Sequence, residues 1–600
     1  MKRSSTKFSL ILFLAFLGFM LSLLTLSAQE VDSTEKSSPV TFHGSATLSG
    51  EFYNYSDPSG EFTARRPESV ARFLLRTELG VGDFFSLPIN IMVSSDESGV
   101  VTPLTGSPTL GQFLQNQMNT ISISPRFGWA QFHLGSHFPE NTGMAFDGTQ
   151  LFGGGVSLRP GKFRFAASAG ISQRGIEVDT AAGIRGAFQQ KAFVGRIGYG
   201  DEGGQSVGFG LSVARIQDDT TSIRPVTQVR ILEIPDTGTL SKPLPIVERH
   251  NLMPVPVEGA SASARLYVPI IEGLSVTGEA ALCNYTRDMA SDPLDEDIPL
   301  LGEILTERIG SRVDYALNAS IAFNRPTFGV TANALHVGAG FVTLGNPYNQ
   351  SDKEEFTLNP RVSLLTNRVN VSGSIGYRTN NLSGTQLEKM TQLIGGANIS
   401  AQVTERLSLD AGYNNMGISS NNPVDTFQLN NNTQSFTFSP TYMIPGESAT
   451  HVISAQLGLD NYRDNNTIVG EGNNTTSRTL GGFYSLSFTS MPLSTSLALY
   501  NTAQQMASGD LTITSLSIGA GYRLLENKLT PSLNISASQS SREGSEPEQR
   551  ISFRLGAGWE ITRMLRLQAS ASIDQNAYNR NSGNYSVTEN FFQASLTQQF

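Results

Sequence analysis

The sequence predicts one all-β unit: a single large closed antiparallel transmembrane β-barrel of about 26 strands, or 24 if the weakest segment, 119–124, is not a strand. Three observations predict it. Apolar and polar residues alternate with a period of two over stretches of about ten residues. The connections alternate between short and long, as barrel hairpins do. Beyond residue 28 no apolar run of about 18 residues exists that would cross a membrane as a helix.

Residues 1–28 read as a signal peptide and are set apart from the fold. Lys2, Arg3 and Lys7 form a basic flank, Leu10 to Leu26 is almost wholly apolar, and Leu26-Ser27-Ala28 is a small-residue cleavage site. Residues 29–39 follow as a short linker and 40–600 as the barrel. The sole cysteine, Cys283, is far from the cleavage point, so no lipid anchor is expected there and no internal disulfide can form. Without the leader, 39 basic side chains face 52 acidic ones, a net charge near −13. That argues against a nucleic-acid partner, which calls for a basic stripe. A chain of this length ordinarily divides into several soluble domains. No Pro-rich hinge, charge block or change of texture divides Thr41 to Phe600.

The C-terminal strands carry the clearest alternation. Ile551, Phe553, Leu555, Ala557, Trp559 and Ile561 make one face, and Ser552, Arg554, Gly556, Gly558 and Glu560 the other. After Thr562-Arg563, Leu565, Leu567, Ala569, Ala571 and Ile573 alternate with Arg566, Gln568, Ser570, Ser572 and Asp574. Soluble sheets alternate too, but their strands usually run about five or six residues, whereas a tilted strand needs about 9–11 to cross a bilayer. The final strand sets Phe592, Ala594, Leu596 and Phe600 against Gln593, Ser595, Thr597 and Gln599. It is expected to close the barrel against the first strand, near Thr41 to Tyr53.

Short connections fall at Arg159-Pro160-Gly161-Lys162, Asn324-Arg325-Pro326-Thr327, Thr404-Glu405-Arg406, Glu526-Asn527-Lys528 and Thr562-Arg563. Long polar ones fall at about 98–118, 175–186, 218–257, 288–310, 380–390, 418–433, 464–476 and 579–586. With every short turn on one side of the membrane, strands leave that side near 41, 88, 128, 163, 206, 273, 327, 368, 406, 450, 493, 528 and 564. Thirteen such strands, each answered by a returning one, place both chain ends on the short-turn side. Aromatic residues suit the two interfaces: Trp559, Tyr522 and Phe600 near the short-turn rim, and Phe592, Tyr484 and Tyr413 near the opposite one. Pro360 and Pro440 interrupt apolar alternations and mark either bulges or misplaced strand edges. His336 follows Phe328, Val330, Ala332 and Ala334 on an outward face, which places it at the outer rim or at a shift of register.

The end Phe592 to Phe600, alternating and closing on an aromatic residue, resembles the recognition signal of Gram-negative outer-membrane β-barrel proteins. The resemblance covers the whole chain as architecture and this strand as a motif. It implies an outer-membrane location with both ends in the periplasm, contact with outer-membrane lipids, and assembly machinery that reads the last strand. The stretch Gly128 to Ile176, including GTQLFGGGVSLRPGKFRFAASAG, resembles Bacteroidota-type barrels. The barrel begins so soon after the leader that no plug domain or periplasmic repeat is expected before it.

Candidate chemistry is sparse. His133 and His137 share a strand face four positions apart, about 13 Å along the strand, too far for a metal pair without other ligands. Ser136 and His137 are adjacent and point to opposite faces, so they make no catalytic pair. There is no G-x-S-x-G elbow and no H-E-x-x-H helix, and no enzymatic activity, metal or cofactor is expected. Asp288, Asp292, Asp295, Glu296, Asp297, Glu303 and Glu307 make the 288–310 loop acidic without the spacing of a Ca²⁺ loop. Charges expected to face the lumen are Arg265, Glu279, Asp410, Arg554, Glu560, Arg566 and Asp574; they shape a pore field or pair across strands.

Twenty-six strands at about 4.8 Å spacing and about 40° tilt give a diameter near 50 Å. Barrels this wide are usually obstructed. The 218–257 loop, with the apolar pieces Val229-Arg230-Ile231-Leu232 and Leu244-Pro245-Ile246-Val247, is expected to fold over or into the mouth. These features imply a transport or channel barrel for polar solutes or a translocated substrate. The alternative is a non-conducting structural, assembly or secretion-associated barrel whose loops bind an envelope partner. A rim-located hydrolase comes third.

Overall fold

The computed structural model describes residues 40–60, 62–95, 119–140, 142–178, 185–200, 206–233, 245–251, 253–294, 306–468, 470–580 and 583–600. The leader, the 29–39 linker, the 98–118 loop and Asp295, Glu296, Asp297 and Glu303 of the acidic loop lie outside them.

The wall begins with β1 (Val40–Ser56), β2 (Ser69–Val81), β3 (Phe85–Ser94), β4 (Thr120–Ile123) and β5 (Arg126–Phe127). It continues through β6 (Ala130–His137), β7 (Leu151–Leu158), β8 (Phe163–Gln173), β9 (Gln189–Tyr199) and β10 (Gly208–Asp219). β11 (Thr227–Glu233) and β12 (Pro245–Asn251) pair only with each other, as a hairpin apart from the wall. The wall resumes with β13 (Glu258–Ile271), β14 (Leu274–Thr286), β15 (Ser311–Asn324), β16 (Phe328–Val337), β17 (Lys353–Leu364) and β18 (Val369–Asn380). Next come β19 (Met390–Gln402), β20 (Leu407–Ser420), β21 (Asn430–Pro445), β22 (Ala449–Asp464), β23 (Thr475–Phe488) and β24 (Leu493–Met506). The last five are β25 (Leu511–Tyr522), β26 (Leu529–Arg542), β27 (Glu548–Glu560), β28 (Leu565–Arg580) and β29 (Gly583–Gln599).

Each strand pairs antiparallel with its neighbours, and β29 pairs back to β1, so the sheet closes. β4 and β5 share one position in the ring, both lying between β3 and β6, which makes 26 positions. Pro125 separates them, having no N–H to give the ladder, while its carbonyl accepts from Phe132 N at 2.9 Å. This interrupted strand is the 119–124 segment whose strand character the sequence left weakest. The thirteen strand starts read from the sequence all fall within three residues of observed ones.

The seam is tightly made. Ser45↔Gln599 through Ser56↔Thr588 are in register, and Gly44 and Phe600 exchange backbone hydrogen bonds of 2.9 and 3.1 Å. Phe42 stacks on Phe600 with ring centroids 4.9 Å apart. A side chain at Gly44 would overlap the backbone of Arg76 and Thr77, so glycine admits the close approach of β2 there.

Pro360 and Pro440 mark neither bulges nor strand ends. On the side of the following strand the ladder omits two residue pairs and resumes unshifted, from Leu358↔Ile375 to Arg361↔Ser372 and from Phe438↔Leu457 to Thr441↔Ser454. His336 keeps its outward place without a register shift. It is the penultimate residue of β16, stacks on Tyr315 at 5.4 Å and lies 3.8 Å from Glu354.

The facing of alternate residues can be measured on β28. Ala569→Arg puts a charge into the lipid-facing row and should cost about 2–4 kcal/mol if it lies at the midplane, whereas Ser570→Arg, pointing inward, should cost little. Reversible unfolding of both variants in vesicles reads the difference, and equal effects would contradict the facing.

Candidate functional site

Alternation leaves the inner face of the wall polar, but the wall is not uniformly bare. Between β6 and β7 the chain turns inward through the 3-10 turn Gly143–Ala145. Ser261 Oγ donates to Ala145 O at 2.6 Å, Ser263 Oγ to Thr142 O at 3.3 Å, and Met144 N to Glu279 Oε1 at 2.5 Å. These partners share the inner face of β13 and β14, opposite the exposed outward Leu266 and Leu282. Gly143 has φ +60°, and a Cβ there would overlap the Glu279 carboxylate.

Phe146 is the anchor of this segment. It is 1% exposed and packs with Leu151, Ala192, Val194, Ala214 and Ile216, beside Leu344. A second segment, 338–352, returns to the same wall. Phe341 packs with Ala281, Cys283, Ala316 and Val337, beside Met144 and Leu335. Gly340 N donates to Asp314 Oδ2 at 2.6 Å. The two segments join where Gly345 O accepts from Asp147 N and Thr149 Oγ1, each at 3.0 Å. A Cβ on Gly345 would overlap the Phe146 ring. The inner wall from β9 to β16 is therefore covered by folded chain.

Neither 138–150 nor 338–352 is among the connections read from the sequence. The available signal is in the strands beneath. Ala192-Phe193-Val194 and Ala280-Ala281-Leu282-Cys283 are apolar on both faces, which a wall wet on its inner side does not need. The 218–257 connection forms the β11–β12 hairpin instead; its tip, 234–244, and its side chains lie outside the described residues.

The charges named from the sequence are spread along the wall rather than gathered. Arg265 and Glu279 are register partners on β13 and β14. Asp410 sits between Ser400 and Ser439, and Arg554 between Asn534 and Ser572. Glu560 pairs with Arg566, and Asp574 with Arg550 at 3.2 Å. Exposed pairs of this kind contribute about 0–1 kcal/mol, so they shape the field more than the stability.

Trp559, Tyr522 and Phe600 lie within about a residue of the short-turn ends of their strands. Tyr413 and Phe592 top the outward apolar rows of β20 and β29, above which come Asn415 and Asn590. Tyr484 does not belong with them. It lies four residues before the end of β23 at the 489–492 turn, and its hydroxyl is 2.8 Å from Nδ1 of His451, near the start of β22. The descending direction of β23 puts it in the short-turn half.

His133 and His137 are closer than their strand spacing implies. Their rings stack at 5.3 Å, 10° from parallel. Gly155 on β7, the register partner of His133, leaves space for the second ring: a Cβ there would come within 2.9 Å of His137 Nε2. His133 Nδ1 lies 3.3 Å from Ser124 Oγ and Nε2 3.2 Å from Ser157 Oγ; His137 Nδ1 donates to Gly135 O at 3.1 Å. Among the described residues no group of three or more ligand-type side chains is arranged to hold a metal.

A second polar cluster lies at the outer end of the seam. Glu589 accepts from the Tyr53 hydroxyl at 2.7 Å and from Asn576 Nδ2 at 3.2 Å, and Arg65 of the β1–β2 loop reaches it at 3.5 Å. Arg65 also donates to the Tyr578 hydroxyl at 3.0 Å, and Arg66 lies over the Phe591 ring at 4.4 Å. Side chains from β1, β28, β29 and the first outer loop thus meet on one carboxylate.

The sequence matches no family model, and no curated protein matches it. Similar solved structures are barrels. Acinetobacter baumannii OccAB4 is 10% identical with a TM-score of 0.30, covering 66% of this chain and 100% of its own. Pseudomonas aeruginosa OpdK, determined with vanillate, is 12% identical with a TM-score of 0.29, covering 58% and 94%. Pseudomonas aeruginosa OccK7 (OpdD) is 8% identical with a TM-score of 0.29, covering 73% and 97%. The assignment of this chain rests on its own ladder. A closed, even-stranded, single-chain antiparallel barrel with an apolar outward belt is a bacterial outer-membrane protein.

The packing of the inward segment is testable. Phe146→Ala should remove about 3–5 kcal/mol of local packing. Amide exchange at 142–149 should then accelerate while the strands stay protected; unchanged exchange would show that the ring does not hold the segment.

Proposed function

We propose that the protein is a channel for polar solutes, narrowed on one side by the 138–150 and 338–352 segments. One observation carries the reading: the inner wall is covered from β9 to β16, while the inner faces of β19 to β26 present a broad hydroxyl and amide surface. Asn398, Ser400, Asn414, Thr437, Gln456 and Ser496 typify it, all exposed or half-buried. A groove of about 440 Å³ crosses from β16 to β21 onto the edge of this surface, lined among others by Arg361, Asn370, Asn398, Asp410 and Ser439. Such a wall solvates a passing polar solute without demanding one charge. The β11–β12 hairpin, between β10 and β13, would narrow the mouth further. The last strand, ending at Phe600, is the segment that the assembly machinery would engage.

Planar-bilayer recording of the purified chain tests the reading. Stable single-channel steps are expected, larger or noisier in Phe146→Ala and after deletion of residues 222–254. A silent, correctly folded barrel would instead favour a structural or assembly-associated role. An unchanged conductance after the deletion would remove the hairpin from the path.

A further inference from the structure

Three aromatic residues stand in the inward rows of β19 to β26: Tyr462, Phe483 and Tyr500. Their facing follows from their neighbours, since Leu459, Leu480, Leu497 and Leu499 are exposed on the lipid side of the same strands. Neither core under the returning segments includes them. The barrel has no structural need of them, because its outward rows meet the lipid and a wet inner wall is satisfied by hydroxyls and amides. Phe483 and Tyr500 are half-buried and stand near mid-height, as the ninth residue of β23 and the eighth of β24.

The wall makes room for these two rings. Tyr500 leans over Gly481, its register partner on β23, and a Cβ at Gly481 would overlap the ring. Phe483 has Ser454 and Ala498 as register partners, so small residues flank it on both sides. Gln456, Thr479, Thr502, Ser515 and Ser517 surround the pair. The Gln456 side chain is exposed, and neither it nor the Tyr500 hydroxyl has a hydrogen-bond partner among the described residues. Charge is kept at a distance. The inward rows of β19 to β26 carry Asp410, Asp460 and Asp464, and one basic residue, Arg542, at the outer end of β26. Along the row of Tyr500, Arg550 lies three strands on, about 14 Å away, and is taken by Asp574 at 3.2 Å. In the other direction Asp410 lies four strands back, about 19 Å away.

We propose that Phe483 and Tyr500 form a stacking platform for neutral saccharides, with Gln456, Thr479, Thr502 and Ser515 engaging the edge of the sugar. What is present and what is missing both select this class. A pyranose carries C–H groups on its faces and hydroxyls round its edge. An aromatic ring covers the faces through area and dispersion, while amides and hydroxyls donate to and accept from the edge. A carboxylate or phosphate would meet no unpaired cation at this height, and an apolar solute would leave the amide and hydroxyls unmatched. Tyr462, third from the outer end of β22, extends the platform toward the mouth. Its partner Thr475 is six positions above Gly481, about 20 Å along β23, a distance that an oligosaccharide spans and a single sugar does not. The proposal names the solute class of the channel reading and rests on that reading for passage; binding itself needs only a lumen open to water.

Binding is therefore read separately from conduction. The full chain in phosphatidylcholine nanodiscs is titrated with maltohexaose, followed by saturation-transfer NMR of the sugar protons, with gluconate as the charged probe. The same protein is recorded in planar bilayers. Maltohexaose should receive saturation and interrupt the single-channel current, and gluconate should do neither. Phe483→Ala/Tyr500→Ala should weaken the maltohexaose affinity about tenfold. Tyr500→Phe should keep most of it, and Tyr484→Ala, which removes the outward ring beside Phe483, should keep all of it. If the double alanine variant does not fold, Phe483→Ser and Tyr500→Ser, each matching the surrounding wall, replace it. No saturation of maltohexaose, or equal affinity in the unaltered and double-variant chains, would overturn the platform. Equal binding of gluconate would overturn the selection of neutral solutes. Silent bilayers with saccharide binding intact would overturn the channel reading and leave the platform standing.

Discussion

Inside a bilayer no water is available to an unpaired N–H or C=O, and each such group left in hydrocarbon costs several kcal/mol. The whole structure depends on that constraint, and the β1–β29 seam is where it is met last. Thr47 and Thr597, 550 positions apart, face each other across the seam with hydroxyls 3.0 Å apart. Distance in sequence is a small obstacle, since each doubling of a closed loop adds only about 0.6 kcal/mol. An open edge twelve pairs long would be far worse. The seam is accordingly reinforced at both ends, by Phe42 on Phe600 at the short-turn rim and by the Glu589 cluster at the outer rim.

Once closure is imposed, side-chain direction follows, and every second residue is committed to lipid. The commitment tolerates local damage. Pro360 and Pro440 each interrupt one side of the ladder, yet the pairing resumes in the same register. A one-residue slip would exchange the outward and inward sets along the whole strand. Losing two pairs is the smaller loss, and alternation on both neighbours holds the register across the gap.

This explains which parts of the protein were legible in the sequence. Strand number, strand starts and the closing pair follow from alternation and from turn length, both of which are local, and they match the structure closely. The inward segments do not follow, because 138–150 and 338–352 are specified by contacts with distant strands. Phe146 meets Ile216, and Ser261 meets Ala145, through the closed fold alone. The His133–His137 stack was hidden for a related reason: strand spacing describes Cα positions, while ring positions depend on how the side chains lean and on Gly155 of the neighbouring strand leaving space. Tyr484 was misplaced because its height follows from where the 489–492 turn falls, and aromatic character alone does not report that.

The barrel wall therefore meets three surroundings, and its residue types distinguish them. Outward positions in the belt are apolar, large and small alike, because lipid chains conform to them. Inward positions on the bare wall are Ser, Thr, Asn and Gly, which water satisfies. Inward positions packed against Phe146 and Phe341 include the small apolar Ala192, Ala214, Ala281 and Ala316, which leave room for the large rings. Small wall residues beneath large loop residues fill space at the density of a protein interior. Neither partner is stable in that form alone: a bare apolar wall would face water, and a free segment would expose its phenylalanine. The covered part of the lumen wall is thus a small hydrophobic core built inside a membrane barrel. Its edge, where alanine gives way to serine and asparagine, sets the boundary of the space left open.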